Sequence, residues 1–304
     1  MRQILSLLLA LWCVAACQSK PLPSPTPDSP KAAPRQVAPD TILAGAVYTA
    51  ADSVEVEAIL RDESLTSPLS IARHFIGRPY VPYTLEVADP ERIVVNLREL
   101  DCTTLVETVL ALYLTKQEKG TTLADYCKQL ARVRYFAPSV PHYLARQHYA
   151  TQWLESNTAK GLVQPVTLPA RYTAKRVMQL GYMSQHADNY KILSAHPEWV
   201  DSIARLERQY SGKAATYLPE QYAALGKSAI GAIHDGDIVF IVTTKAGLDY
   251  SHLGFAVWGK DGRLHLLNAS SLHHKVVEEP MTLYQYLQKQ RSAIGLKTAK
   301  ILAK

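Results

Sequence analysis

The chain has 304 residues, 47% of them apolar and 20% charged. That is the composition of a water-soluble globular protein able to bury a substantial core as one large domain or two small ones. The net charge of +6 is spread without a long basic run and interrupted by acids, which argues against nucleic-acid binding and stays compatible with an anionic polymer such as a cell wall.

Residues 1–16, "MRQILSLLLALWCVAA", combine an early Arg2, an apolar run too short to span a bilayer comfortably and small residues before Cys17, the pattern of a secretory signal. Loss of Arg2 with that signal leaves a charge of +5. "VAACQS" resembles a bacterial lipobox, which implies cleavage before Cys17, thioether lipidation of its sulfur and acylation of its amine. An ordinary signal cut nearby, with Cys17 left free, is the alternative. Residues 17–40 carry Pro21, Pro23, Pro25, Pro27, Pro30, Pro34 and Pro39 with almost nothing to bury, so they read as an extended, solvated tether. The folded domain is then 41–304. Signal and tether together describe a lipid-anchored periplasmic protein, and Gln18, which is no inner-membrane retention signal, places it at the outer membrane.

Helices are predicted over 52–61 and 67–76, the second with Ser67 as N-cap and Pro68 at its first position, stopped by Gly77. "RIVVNL" reads as a short strand and "DCTTLVETVLALYL" as a buried helix capped by Asp101. Further helices are predicted over 122–133, 141–155, 184–193 and 197–210. "GDIVFIVT", "SHLGFAVWG", "RLHLLNASS" and "KVVEE" are β-branched or aromatic runs that read as consecutive antiparallel strands. Lys260 to Arg263, "KDGR", is a hairpin signal. Helices first and strands afterwards imply an α+β domain, with the early helices on one face of a late sheet.

Two cysteines remain in the folded part, and in an oxidising compartment they could pair. Leu123, Cys127, Leu130 and Arg134 follow helical spacing, which makes Cys127 a buried structural thiol. Cys102 opens its helix, where free N–H groups and the helix dipole favour a negative sulfur and can pull a thiol from about 8.5 to roughly 3.5–7.5. Such a thiolate could attack a carbonyl, with its own N–H helping to hold the oxyanion. A small core residue is the competing reading of Cys102. A catalytic thiol needs a base, and His252 begins an otherwise apolar strand, where a polar side chain on a buried face needs a partner. Asn268, on the next strand, could accept the other imidazole proton.

"DCTTLVETVL", then "SHLGFAV" and "LLNASS" far downstream, resemble the NlpC-type papain-like cysteine peptidases. "GRPYVPYTLE", "VNLRELDCTTLVETVLAL", "RQHYATQW" and "GLDYSHLGFAV" are closer to the N-acetylmuramoyl-L-alanine amidase-like branch, over about residues 65–295. The resemblance implies a papain-like α+β core with N-terminal helices on a C-terminal antiparallel sheet, Cys102 as nucleophile, His252 as general base and Asn268 as the group that orients the imidazole. It also implies that Tyr80 lines the site. Asn268 departs from relatives that carry histidine there.

A plain two-residue turn at Asp261-Gly262 would set residue 268 opposite 255 and place His252 and Asn268 on opposite faces. A bulge or odd-length loop near Gly259 would restore them to one face. His148, Tyr149 and Trp153 could contact a sugar, or the two aromatics could form a core stripe. The histidines, including the His273-His274 pair, lack metal-ligand spacing, so neither a metal nor another cofactor is expected. The implied activity is hydrolysis of the amide between N-acetylmuramic acid and L-alanine in peptidoglycan or muropeptide fragments, by a monomer. An endopeptidase cutting between D-glutamate and the diamino acid, or a non-catalytic wall-binding lipoprotein, are the alternatives.

Overall fold

The computed structural model describes residues 43–137, 142–168 and 170–302. The signal, Cys17 and the Pro-rich tether lie outside the described residues. Five helices precede the strands among the described residues: α1 (Ala50–Arg61), α2 (Pro68–His74), α3 (Cys102–Gln117), α4 (Leu123–Arg134) and α5 (Ala150–Ala159). Strands β1 (Val163–Pro165) and β2 (Ala174–Val177) follow, then the short helices α6 (Tyr182–Gln185) and α7 (Lys191–Ala195) and the longer α8 (Val200–Tyr210). The chain ends with β3 (Ala214–Pro219), α9 (Lys227–Ile230), β4 (Ile238–Thr243), β5 (Tyr250–Trp258), β6 (Leu264–Ser270), β7 (Lys275–Glu278), α10 (Leu283–Gln288) and β8 (Ala293–Ile301).

The strands form one antiparallel sheet in the order β2-β3-β8-β4-β5-β6-β7, with β1 also pairing β8. Strand β8, absent from the sequence reading, lies inside the sheet between β3 and β4. Both faces are covered, where one covered face was expected. Phe240, Val242, Phe255 and Leu267 join the core made with α1 to α5. Val239, Ile241, Ala256 and Leu266 pack on the other side with Ile230, Leu283 and Leu287 of α9 and α10. Burial on both faces is why β4 reads as an unbroken apolar run.

Helix α3 is buried around nearly its whole circumference, from Thr104 to Thr115. Its start is fixed by a reciprocal cap: Thr104 N–H donates to Asp101 Oδ1 at 2.7 Å, and Asp101 N–H donates to Thr104 Oγ1 at 2.8 Å. Caps of this type contribute about 1 kcal/mol. The approach to the cap is pinned as well, because Leu97 N–H donates to the buried Asp52 of α1 at 3.0 Å and Leu100 N–H to Pro79 O at 3.0 Å.

Three expectations need correction. "RIVVNL" forms only a single parallel bridge, Val94 to Val47. The helix expected over 141–155 is broken: Tyr143–Ala145 is one 3-10 turn, and Arg146 then pairs antiparallel with Tyr135 before α5 begins. The segment 184–193 is likewise split, because Ala187–Asn189 is a 3-10 turn between α6 and α7.

Inside the helical layer Arg134 of α4 meets Glu107 of α3 at 2.6 Å, each side chain only 2% exposed, and also donates to Val94 O at 2.8 Å. Removing one partner of such a pair leaves an uncompensated buried charge. Glu107→Gln should therefore lower the unfolding free energy by about 3–5 kcal/mol, read as a lower midpoint with unchanged slope in urea denaturation.

Candidate active site

Cys102 occupies the first position of α3 and is free, as is the fully buried Cys127. No disulfide therefore joins the two cysteines of the described residues. Of the first N–H groups of α3, the one on Thr104 is taken by Asp101; those of Cys102 and Thr103 have no backbone partner within the helix.

Strand β5 brings His252 to this helix end. Its ring Nε2 lies 2.8 Å from Asn268 Oδ1 on β6. The two share a face because β5 and β6 pair with Phe255 opposite Leu267 and Trp258 opposite Leu264, joined by five residues, 259–263. This is the odd-length connection that the one-face arrangement requires. Gly262, at φ 72°, closes it. By continuation of the ladder Gly254 faces Asn268, and a Cβ there would stand 2.6 Å from Leu267 O and 3.0 Å from Asn268 Cβ. Only glycine fits there against the β6 backbone and the Asn268 side chain. A register shift between Ile241 and Val242 leaves Ser251 as an extra residue just before His252, which bends β5 at the site.

Burial, followed by the negative charge of Asp101, pushes the Cys102 thiol up to about 12; N–H groups of Leu253 and Thr103 and the Thr103 hydroxyl offset this in part. The helix terminus alone would have pulled the thiol down, so the resting sulfur is a neutral thiol, contrary to the expectation from position. Burial also holds His252 below the usual imidazole range, against the Asn268 contact and the charges of Glu279 and Asp101. Thiol and imidazole thus rest uncharged, and a proton moving from one to the other would create a buried ion pair.

Tyr80 reaches the site through an edge segment: Tyr80 N–H donates to His274 O at 3.0 Å, and Tyr80 bridges Leu100, two residues before Cys102. Its phenol is pushed up to about 12, chiefly by burial and also by the nearby charge of Asp101, so it stays a hydroxyl donor. On another flank of Cys102 lies a cavity of about 200 Å³ lined by Thr103, His148, Tyr149, Trp153, Asp249 and Leu253. A second cavity of about 170 Å³ shares Glu86, Thr103, Gln147 and His148 with it. Cys102 therefore stands with His148, Tyr149 and Trp153 in one recess, while neither His252 nor Tyr80 lines it.

Tyr149 and Trp153 are also core residues. Tyr149 donates its hydroxyl to Glu207 at 2.6 Å, and the indole of Trp153 packs 6.1 Å from Phe240. His148 Nε2 donates to Tyr143 O at 2.8 Å, leaving Nδ1 as an acceptor. Other residues near the ring and the cavities were missed from sequence. Tyr286 of α10 sets its ring 6.2 Å from His252. Glu86 lies between the two cavities. Asp249 accepts from Thr151 N–H at 2.6 Å, capping α5 across the fold. The signal for Asp249 was its place just before "YSHLGF"; nothing local marked Glu86 or Tyr286.

Burial and then Arg146 lower His148 to about 3 from an ordinary 6.5. The unfolded chain therefore binds a proton that the folded protein refuses, and stability falls as pH drops below 6.5. At pH 5 this group alone removes about 2 kcal/mol. His148→Gln, which can still donate to Tyr143 O, should lose correspondingly less stability between pH 7 and pH 5 in paired denaturation curves.

Residues 70–295 match the family model described as AmiA-like, N-acetylmuramoyl-L-alanine amidase-like. A crystal structure of an N-acetylmuramoyl-L-alanine amidase from Bacteroides uniformis is 34% identical, covers 79% of this chain and 100% of its own, and superposes with a TM-score of 0.72. A Bacteroides fragilis protein provisionally described as a xylanase is 38% identical over 77% of this chain and 100% of its own, with a TM-score of 0.71. A Legionella pneumophila protein at 21% identity, covering 87% of this chain and 97% of its own, shares the fold with a TM-score of 0.65. No curated protein sequence matches. The family match spans most of the folded residues, and the chain belongs to the AmiA-like, N-acetylmuramoyl-L-alanine amidase-like family.

Proposed function

We propose that this protein is a cysteine-dependent cell-wall amidase, with a papain-like (NlpC-type) arrangement of nucleophile and base, that hydrolyses the bond between the lactyl group of N-acetylmuramic acid and L-alanine. The observation that carries the reading is the 2.8 Å contact between His252 and Asn268, with His252 within reach of the charge of Asp101, the residue before the thiol that opens α3. With Nε2–H given to the Asn268 carbonyl, Nδ1 is the ring's free base.

In the proposed reaction Nδ1 takes the Cys102 proton as sulfur attacks the lactyl carbonyl. The resulting oxyanion is held by the Cys102 N–H and the Tyr80 hydroxyl. The imidazolium then gives its proton to the alanine nitrogen, the C–N bond breaks, and the free peptide leaves. A water deprotonated by His252 attacks the thioester, and the proton returns to sulfur as the acid is released. Starting from an uncharged pair, proton transfer accompanies attack and does not precede it. His252 serves the amine, so the acyl half of the substrate belongs in the recess away from it. There Trp153 and Tyr149 supply an apolar wall, and His148 Nδ1 can accept an amide N–H such as that of an N-acetyl group. Lipid attachment at Cys17 to the outer membrane completes the proposal, with the tether giving the enzyme reach across the periplasm.

Purified protein incubated with a disaccharide-tetrapeptide should release the intact tetrapeptide, as read by mass spectrometry, and alkylation should abolish release. Cys102→Ala should reduce turnover below detection while leaving the circular dichroism spectrum unchanged. Retained turnover in that variant would sink the mechanism. Cleavage within the peptide would move the activity to a peptide bond, and sugar release without peptide release would favour glycoside chemistry.

A further inference from the structure

Asn268 makes two polar contacts of opposite kind. Oδ1 faces His252 Nε2 at 2.8 Å, and Nδ2 donates to Glu279 Oε1 at 3.0 Å. Glu279 has no exposed side-chain surface. Its second oxygen, Oε2, accepts from His273 Nε2 at 3.1 Å, and its N–H donates to Leu266 O at 2.8 Å. His265 Nδ1 lies 3.2 Å from its carbonyl oxygen. The carboxylate is therefore held at both oxygens and on both sides of its backbone.

A carboxamide can present either end to a neighbour, whereas an ionised carboxylate can only accept. With the NH₂ end turned to His252, the ring would offer its Nε2 lone pair there and carry its proton on Nδ1. That tautomer cannot take a proton from the thiol. We propose that Glu279 is a positioning residue for His252, acting through Asn268: by accepting from Nδ2 it obliges the amide carbonyl to face the imidazole, which fixes the Nε2–H tautomer and keeps Nδ1 a base. His273 occupies the other oxygen and stops the carboxylate from rotating away. The inference deepens the amidase reading and rests on the same cysteine and histidine pair.

The test is Glu279→Gln, nearly isosteric but able to donate or accept at the same point. In ¹⁵N-labelled protein above the imidazole titration, wild-type His252 should show one tautomer, protonated at Nε2, and the variant a mixture of two. Alkylation of Cys102 by iodoacetamide and kcat/KM for the disaccharide-tetrapeptide should each fall about 10- to 100-fold, within or below the roughly 10²–10⁴-fold that general-base catalysis supplies, with KM moving far less than kcat. The paired exchange Asn268→Asp with Glu279→Gln restores a one-way contact, because the introduced amide donates to the introduced carboxylate and that carboxylate, towards His252, can only accept. The double variant should recover a single Nε2–H tautomer and alkylation within about 10-fold of wild type. A single unchanged tautomer in Glu279→Gln, or no tautomer recovery in the exchange, overturns the role. Tautomer and alkylation readouts need no substrate: tautomer control by Glu279 in a protein that leaves the muropeptide uncut would count against the amidase reading alone.

Discussion

The register between β5 and β6 is the constraint on which the candidate site depends. Side chains alternate along a strand, so a one-residue slip would carry Asn268 to the far face and leave His252 against apolar neighbours. The five-residue connection 259–263 sets that register, and Gly262 supplies the left-handed backbone that lets it close. Gly254 completes the arrangement, because a Cβ there would press on Leu267 O and on Asn268 Cβ. Because β4 and β8 bury the continuation of the same sheet on both faces, moving β5 out of register would also expose core residues. The polar pair is thus held in place by the packing of apolar ones.

Electrostatics at Cys102 are a balance of opposed terms. The start of α3 offers unpaired N–H groups and a dipole that favour a thiolate, while Asp101, the residue that caps the same helix, places a carboxylate next to the sulfur. Burial and Asp101 together prevail. The same Asp101 charge favours a protonated His252, so the cap opposes charge on sulfur and assists it on the ring. These contributions together favour a protonated thiol at rest.

Much of this was legible locally. Asp101 and Thr104 around an apolar run marked the start of α3, and "VFIV", "HLGFAVW" and "LHLLNAS" marked β4, β5 and β6, because strands buried on both faces must be apolar almost throughout. What was not legible depends on distant partners. Strand β8, "AIGLKTAKI", carries Lys297 and Lys300 and looks like a surface segment. It lies inside the sheet because β4 takes one edge while β3 and β1 share the other. The helix expected over 141–155 fails because Arg146 pairs with Tyr135, a contact that no helical periodicity records. Tyr286 and Glu279 lacked any motif, since each reaches the site from an element whose place is set only once the sheet has formed.

Asparagine at position 268 makes physical sense beside Glu279. A carboxylate in direct contact with the imidazole would raise its proton affinity strongly. An amide inserted between them keeps the direction of the hydrogen bond and moves the full charge one group further away. Glu279 still favours the imidazolium, yet burial outweighs it and His252 stays below its ordinary range. In the proposed reaction a base of that kind is unprotonated at neutral pH and, once it has taken the thiol proton, gives it up readily to a departing amine. The neutral spacer therefore separates two tasks that a carboxylate at position 268 would join: orienting the ring and setting its proton affinity.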